Sequence, residues 1–329
     1  MINPDLKLNP KLFDQDVEIK PTRAGYGEGL LTLGETNPDV VALSADLTES
    51  TYAHLFAEKF PDRFFQCGVA EQNMAAIAAG LGVSGKIPFM SSYATFSPGK
   101  NWETIRTTII YNNSNVKIAG HHAGIMTGPD GATHQATEDI ASVRSWPNIK
   151  IFVPCDAVEG KKTTIEVAKI QGPVYLRFSR DKTPIMTTPD TPFEAGKIST
   201  FWISKNPVAT IFSTGYMTFY ALLAAKELQE ENIQVIVANV ATIKPLDQET
   251  ILSLVKKTNC AVTVEDHQAA GGLGGAISEL LARTKPTPME FIGLQDTFAE
   301  SGKPLELLEK YGIGVKSIKE AVKKVIARK

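Results

Sequence analysis

The chain has 329 residues, 43% of them hydrophobic, and its 34 lysines and arginines nearly balance 36 aspartates and glutamates, for a formal charge of −2. That balance excludes a dedicated nucleic-acid surface and a polybasic membrane patch, so any anionic ligand falls to a few local cations. The three cysteines, Cys67, Cys155 and Cys260, are widely spaced and form no CxxC pair, which excludes a disulfide framework and a structural zinc site.

The opening Met1-Ile2-Asn3-Pro4-Asp5 shows no basic region followed by an apolar core. No apolar run approaches the roughly 18 residues of a membrane span, so a soluble cytoplasmic protein is expected. In chain order, short apolar runs predict strands at Val40–Leu43, Val116–Ala119, Ile149–Val153 and Val174–Phe178. A second series follows at Val208–Phe212, Val235–Val240 and Cys260–Val264. Helical patterns intervene, as at Met217–Glu231 and Gln248–Lys257. Alternation of this kind predicts α/β architecture, each sheet mostly parallel and flanked by helices. Between the series, Asp181–Ser199 holds Pro184, Pro189 and Pro192 among threonines and reads as a linker. It divides a first domain at 1–187 from a second at 195–329.

Three segments of the first domain carry candidate chemistry. In Gly68-Val69-Ala70-Glu71-Gln72-Asn73-Met74, a run of small residues predicts a closely packed helix with Glu71 near its start. Alone, Glu71 reads as a first-turn glutamate favoured by the helix dipole. In Pro88 to Phe96, Tyr93 and Phe96 could frame a flat ring or simply pack a core. The loop His121 to Gln135 gathers three of the five histidines among glycines directly after a strand, where open α/β sheets bind ligands. The spacing of His122, Asp130 and His134 matches no compact zinc pattern, so substrate contact is favoured over metal.

These segments, in this order, resemble the pyrimidine-binding domain of transketolase. The resemblance continues through Arg177-Phe178-Ser179-Arg180. In the second domain, Thr242-Ile243-Lys244-Pro245-Leu246-Asp247, Val264-Glu265-Asp266-His267 and Gly271-Gly272-Leu273-Gly274-Gly275 look like the family's C-terminal domain. The resemblance implies thiamine diphosphate as cofactor. Glu71 would contact the aminopyrimidine, favouring the imino tautomer from a buried, apolar position that stabilises a neutral carboxyl. Phe96 would stack on that ring, Tyr93 would line the same pocket, and Asp46 and Leu47 would meet the cofactor's edge. Sugar-phosphate substrates would be received by Arg23, Ser50, His122 and Arg180, with Asp130 and His134 on the sugar hydroxyls near the reacting carbons. His267 reads as structural or interfacial, and the glycine-rich run as tight packing.

The family's Gly-Asp-Gly metal segment is absent here, as are its N-terminal substrate histidines. The resemblance therefore implies half of a split enzyme, with no metal ligands of its own. The diphosphate and Mg2+, or another divalent cation, would be held by a separate N-terminal subunit. A heterotetramer of two copies of each chain follows by analogy with the family's two-fold dimer. The alternatives are a deoxyxylulose-phosphate synthase-like subunit, the beta-type subunit of a 2-oxo-acid dehydrogenase, and a non-catalytic regulatory subunit. The first is normally one long chain, and the second lacks the Asp-Gly-Ala-Thr-His-Gln loop.

Overall fold

A computed structural model describes all residues, Met1–Lys329. Its strands, in chain order, are β1 (Ile19–Pro21), β2 (Val40–Ser44), β3 (Phe64–Gln66), β4 (Ile87–Tyr93), β5 (Lys117–His121), β6 (Lys150–Phe152) and β7 (Val174–Arg177). They continue with β8 (Lys182–Pro184), β9 (Ser199–Trp202), β10 (Ala209–Ser213), β11 (Val235–Asn239), β12 (Thr242–Lys244), β13 (Ala261–Gln268) and β14 (Met289–Leu294). A seven-stranded sheet runs β12-β6-β7-β5-β4-β2-β3, and a five-stranded sheet runs β14-β13-β10-β11-β9. In the first sheet only β12 is antiparallel to its neighbour, and in the second only β9. Strands such as Val40–Ser44 are buried at every residue because helices cover both faces, which is why they read as continuous apolar runs.

Helices form where apolar residues recur every three or four positions and a cap is available. In Gln248–Thr258, the Asp247 carboxylate accepts from Thr250 N–H at 3.2 Å, and left-handed Asn259 (φ 54°) ends the helix. Val315–Ile326 buries Ile318, Ala321, Val322 and Val325 along one stripe. Helices Thr22–Thr36 and Ala157–Val167 touch backbone to backbone. A Cβ on Gly25 would lie 1.9 Å from the Ala157 carbonyl oxygen, so only glycine permits that approach.

The proline-rich stretch is more structured than a linker reading predicts. Lys182–Pro184 pairs with Ile19–Pro21 as a small antiparallel ribbon. Beyond it, Met186 and Thr187 donate their N–H groups to the buried Asp156 carboxylate at 2.7 and 2.6 Å. The prolines mark an edge that needs no ladder donor, and a carboxylate supplied by another segment fixes the backbone.

The two halves also interlock. Leu8 and Leu12 join the apolar cluster of the second sheet, and Asn3 N–H donates to the Phe201 carbonyl at 2.9 Å. In the other direction, Thr242–Lys244 crosses over to extend the first sheet. One cluster of 34 buried residues contains Leu43 and Met90 from the first half and Phe212, Ile277 and Leu281 from the second.

Candidate active site

In the first sheet, β3, β2, β4, β5 and β7 are successive parallel neighbours, so their carboxyl ends share one edge. Asp46 and Leu47 follow β2, Glu71 follows β3, Tyr93 ends β4 with Phe96 just beyond, His122 follows β5, and Arg180 follows β7. Topology thus gathers residues scattered over more than a hundred positions at the place where such sheets hold ligands.

Glu71 opens the helix Glu71–Val83 and is 2% exposed. Its surroundings are not apolar as expected. Lys100 Nζ donates to its carboxylate at 2.7 Å, from a side chain that is 47% exposed. Asn101 Nδ2 donates to the Glu71 carbonyl at 3.0 Å and to Ser97 Oγ at 3.3 Å, while Asn101 Oδ1 is buried without a partner. The turn carrying Phe96 is thereby stitched to the helix carrying Glu71.

Around that turn lies a shelf of rings. The Tyr93 ring stacks on His122 at 3.9 Å and lies 6.1 Å from the near-parallel Phe96 ring. His134 meets Phe96 edge-on at 5.4 Å and Tyr93 at 6.0 Å. Thr133 Oγ1 lies 2.9 Å from His134 Nδ1. His122 adopts a left-handed backbone (φ 53°). Burial, reinforced by Arg23, Arg180 and His134, pushes its imidazole far below the ordinary histidine range, so the ring is neutral.

Arg23 lies 3.0 Å from His122 Nε2, reaches the Ser50 carbonyl, and donates from Nε to the Arg180 carbonyl at 3.2 Å. Arg180 donates from Nη1 to the Thr127 carbonyl at 3.2 Å, with Asp130 Oδ2 at 3.6 Å from its Nε. Arg23, His122, Arg180 and Asp130 therefore form one connected group, which Ser50 joins through its backbone carbonyl. Asp46 is exposed and left-handed (φ 61°), its N–H held by Gln66 Oε1 at 2.8 Å, and Leu47 N–H donates to Ser44 Oγ at 3.2 Å. These two follow β2, the strand beside the one that ends in Tyr93.

The second domain closes on this edge from behind. His267 is buried, and its Nε2 accepts from the Ala141 N–H of the first domain at 3.3 Å. Burial lowers its imidazole to about 4. The glycine-rich run does pack tightly, since a Cβ on Gly272 would meet Glu265 Oε2 at 2.0 Å. Leu273 and Gly274 N–H groups donate to that carboxylate at 2.7 and 2.8 Å. The helix N-terminus thus already holds the Glu265 carboxyl group where a phosphate could otherwise sit. A cleft of about 820 Å3 lined by Thr200, Ile203 and Lys257 lies on the second domain, and no predicted site residue lines it. No three His, Cys, Asp or Glu side chains cluster so as to hold a metal ion. Two residues escaped sequence reasoning: Lys100, a lysine in a turn that by default is solvated, and Asp266, which the motif Val264-Glu265-Asp266-His267 contains without a role of its own.

Parallel sheets, strand-end polar residues and a ring shelf beside a buried carboxylate define an α/β protein of the class that binds ligand at the carboxyl edge of its sheet. The model of the transketolase pyrimidine-binding domain matches residues 20–186, and that of the transketolase C-terminal domain matches 202–318. The putative transketolase C-terminal section of Methanocaldococcus jannaschii is 43% identical over 92% of this chain and 95% of its own length. The 6-deoxy-6-sulfo-D-fructose transketolase subunit SqwH of a Clostridium species is 34% identical, over 96% of this chain and 98% of its own. Human transketolase is 34% identical over 93% of this chain, which spans about half (49%) of that enzyme. Among solved structures, one described as "Split gene transketolase, inactive beta4 tetramer" superposes with a TM-score of 0.87 at 43% identity, covering 93% of this chain and 98% of the other. The chain belongs to the transketolase family, as its C-terminal section.

Proposed function

We propose that this chain is the catalytic-acid half of a split, thiamine-diphosphate-dependent transketolase, moving a two-carbon ketol unit between sugar phosphates once joined to an N-terminal subunit. The observation that carries the reading is Glu71, buried at 2% exposure and tied through Lys100 and Asn101 to the turn that presents Phe96.

The residues present suit an aminopyrimidine. Such a ring offers N–H donors and a flat face. Here a buried carboxylate, the unpartnered Asn101 Oδ1 and the partly exposed Phe96 ring stand together. Bound there, thiamine supplies the electron sink for cleaving the bond next to a ketose carbonyl. Glu71 holds a proton at the ring nitrogen, and Phe96 and Tyr93 fix the plane of the ring and exclude water. Asp46 and Leu47 border it from the β2 side. Neutral His122, with Arg23, Arg180 and Ser50, receives the substrate phosphate, where planar guanidinium forks match phosphate oxygens. His134 and Asp130 meet the sugar hydroxyls beside the reacting carbons.

Half-length coverage of human transketolase and near-complete coverage of a C-terminal section support a separate subunit for the diphosphate and its divalent metal. The helix Glu71–Val83 leaves Ile77 and Val83 exposed, and the segment before it leaves Phe65 and Val69 exposed, at 37, 73, 38 and 72%. We assign this surface to the contacts of an assembly with two copies of each chain. No helix is long and apolar enough to cross a membrane, and the reading places the enzyme in the cytoplasm.

The test is co-expression with a metal-domain chain, then assay of ketol transfer from xylulose 5-phosphate to ribose 5-phosphate alongside pyruvate plus glyceraldehyde 3-phosphate. Ketol transfer is expected. Condensation with pyruvate instead, or full activity in a Glu71→Gln pair, would overturn the reading.

A further inference from the structure

The loop that carries Asp130 and His134 belongs to the first domain, yet the group that holds its start comes from the second. Asp266, 2% exposed within β13, accepts the Ile125 N–H on Oδ1 at 2.9 Å and the Met126 N–H on Oδ2 at 3.4 Å. The Tyr216 hydroxyl donates to the same Oδ2. Gly124, with φ 81°, leaves the carboxylate its room, for a Cβ there would lie 1.9 Å from Oδ2.

The loop's far end is held by the same stretch of β13. Arg177 Nη2 bridges the Asp266 carbonyl at 2.8 Å and the Ala136 carbonyl at 3.2 Å. Gln268 N–H donates to the Thr137 carbonyl at 2.6 Å. Between these fixed ends, Asp130 and Thr133 are exposed and His134 partly so. A loop of this shape keeps its tip in place only as firmly as its two ends are anchored, and one anchor is a buried carboxylate bonded to two backbone N–H groups.

We propose that Asp266 is a positioning residue, through which the second domain sets where Asp130 and His134 stand without itself touching substrate. The clamp is a property of the chain alone; the roles of Asp130 and His134 rest on the ketol-transfer reading above.

Two arms separate these parts. In the isolated chain, hydrogen exchange of peptides covering 122–137 is compared for the native protein, Asp266→Asn, Asp266→Ala and Tyr216→Phe. Losing a charge-assisted bond to a backbone amide is expected to speed exchange there by about tenfold in Asp266→Asn and more in Asp266→Ala. Peptides from β10 and β11 should stay at the native rate, and Tyr216→Phe, which keeps both amide bonds, should leave the loop protected. If Asp266→Ala does not fold, Asp266→Asn carries this arm. Unchanged loop exchange in the Asp266 variants, or acceleration spread evenly over the second domain, overturns the clamp.

In the reconstituted enzyme, a displaced Asp130 and His134 should show as a rise of about tenfold in KM for xylulose 5-phosphate in Asp266→Asn, with cofactor affinity unmoved. A loosened loop with unchanged KM overturns the positioning role. If the native pair transfers no ketol unit, the functional reading fails while the exchange arm still decides the clamp.

Discussion

Replacing Arg177 by methionine tests the polar core between the two sheets. Arg177 and Asp139 have side chains only 5 and 2% exposed, with Nε 2.8 Å from Oδ2. The same guanidinium donates to the Ala136 carbonyl and, across the domain boundary, to the Asp266 carbonyl, so three buried bonds vanish together. Asp139 would keep only the Tyr175 hydroxyl at 2.6 Å, and its Oδ1 already lacks a partner. Stranding a buried charge in this way costs about 3–5 kcal/mol. Asp139→Asn removes the charge at fault, so the double variant should be more stable than the sum of the single losses predicts, by about 2 kcal/mol. The assay is urea unfolding followed by far-ultraviolet circular dichroism, read from midpoints at unchanged slope. The pH sign is fixed as well. Burial alone would raise the Asp139 carboxyl, but the Arg177 guanidinium outweighs it and holds it below the ordinary carboxylate range. Its contribution is therefore present above that range and lost as pH falls through the lowered value, so Arg177→Met should approach native stability only in acid. A loss below 1 kcal/mol at neutral pH, or strict additivity in the double variant, would refute this reasoning.

Glu71→Gln in the reconstituted pair should lower turnover by about 10²–10⁴-fold, the span of a lost proton-transfer group, with the unfolding midpoint nearly unchanged. Glu159 is raised to about 7 by burial and by Asp156, against an ordinary 4.5. Its stabilising contribution is complete below 4.5 and lost as pH rises to 7, so Glu159→Gln should gain on the native chain across that window. The gain is on the order of 3 kcal/mol by linkage, checked by unfolding at a series of pH values. Gly25→Ala forces a methyl group against the Ala157 carbonyl and should cost about 1–3 kcal/mol, seen as a lower thermal midpoint.

What could be read from residues alone was local and periodic. Val40–Ser44 is buried throughout because an unbroken apolar run suits a parallel strand, and the helix Gln248–Thr258 begins and ends at the residues whose side chains and backbone preferences stop it. Lys182–Pro184 was obscured because composition suggests a tether, whereas its order depends on Asp156 and on pairing with Ile19–Pro21. The crossing of Thr242–Lys244 onto the first sheet leaves no mark in the sequence, since a three-residue strand looks the same whichever edge receives it. At the site, the positions after strands marked Tyr93, His122 and Arg180. Lys100 and Asp266 were hidden because their significance lies in what they reach, Glu71 and the Ile125 backbone, and that proximity is created only by folding.

The crossover of Thr242–Lys244 has a practical outcome for anyone dissecting this molecule. A fragment ending at residue 187 would present β6 as a bare edge, its hydrogen-bonding groups open to any passing strand, and would uncover Leu43's neighbours in the shared cluster. The complementary fragment would forfeit the cover of Leu8 and Leu12. Truncation here yields two sticky remnants instead of two modules, so shuffling this chain's parts among relatives requires moving the whole of it.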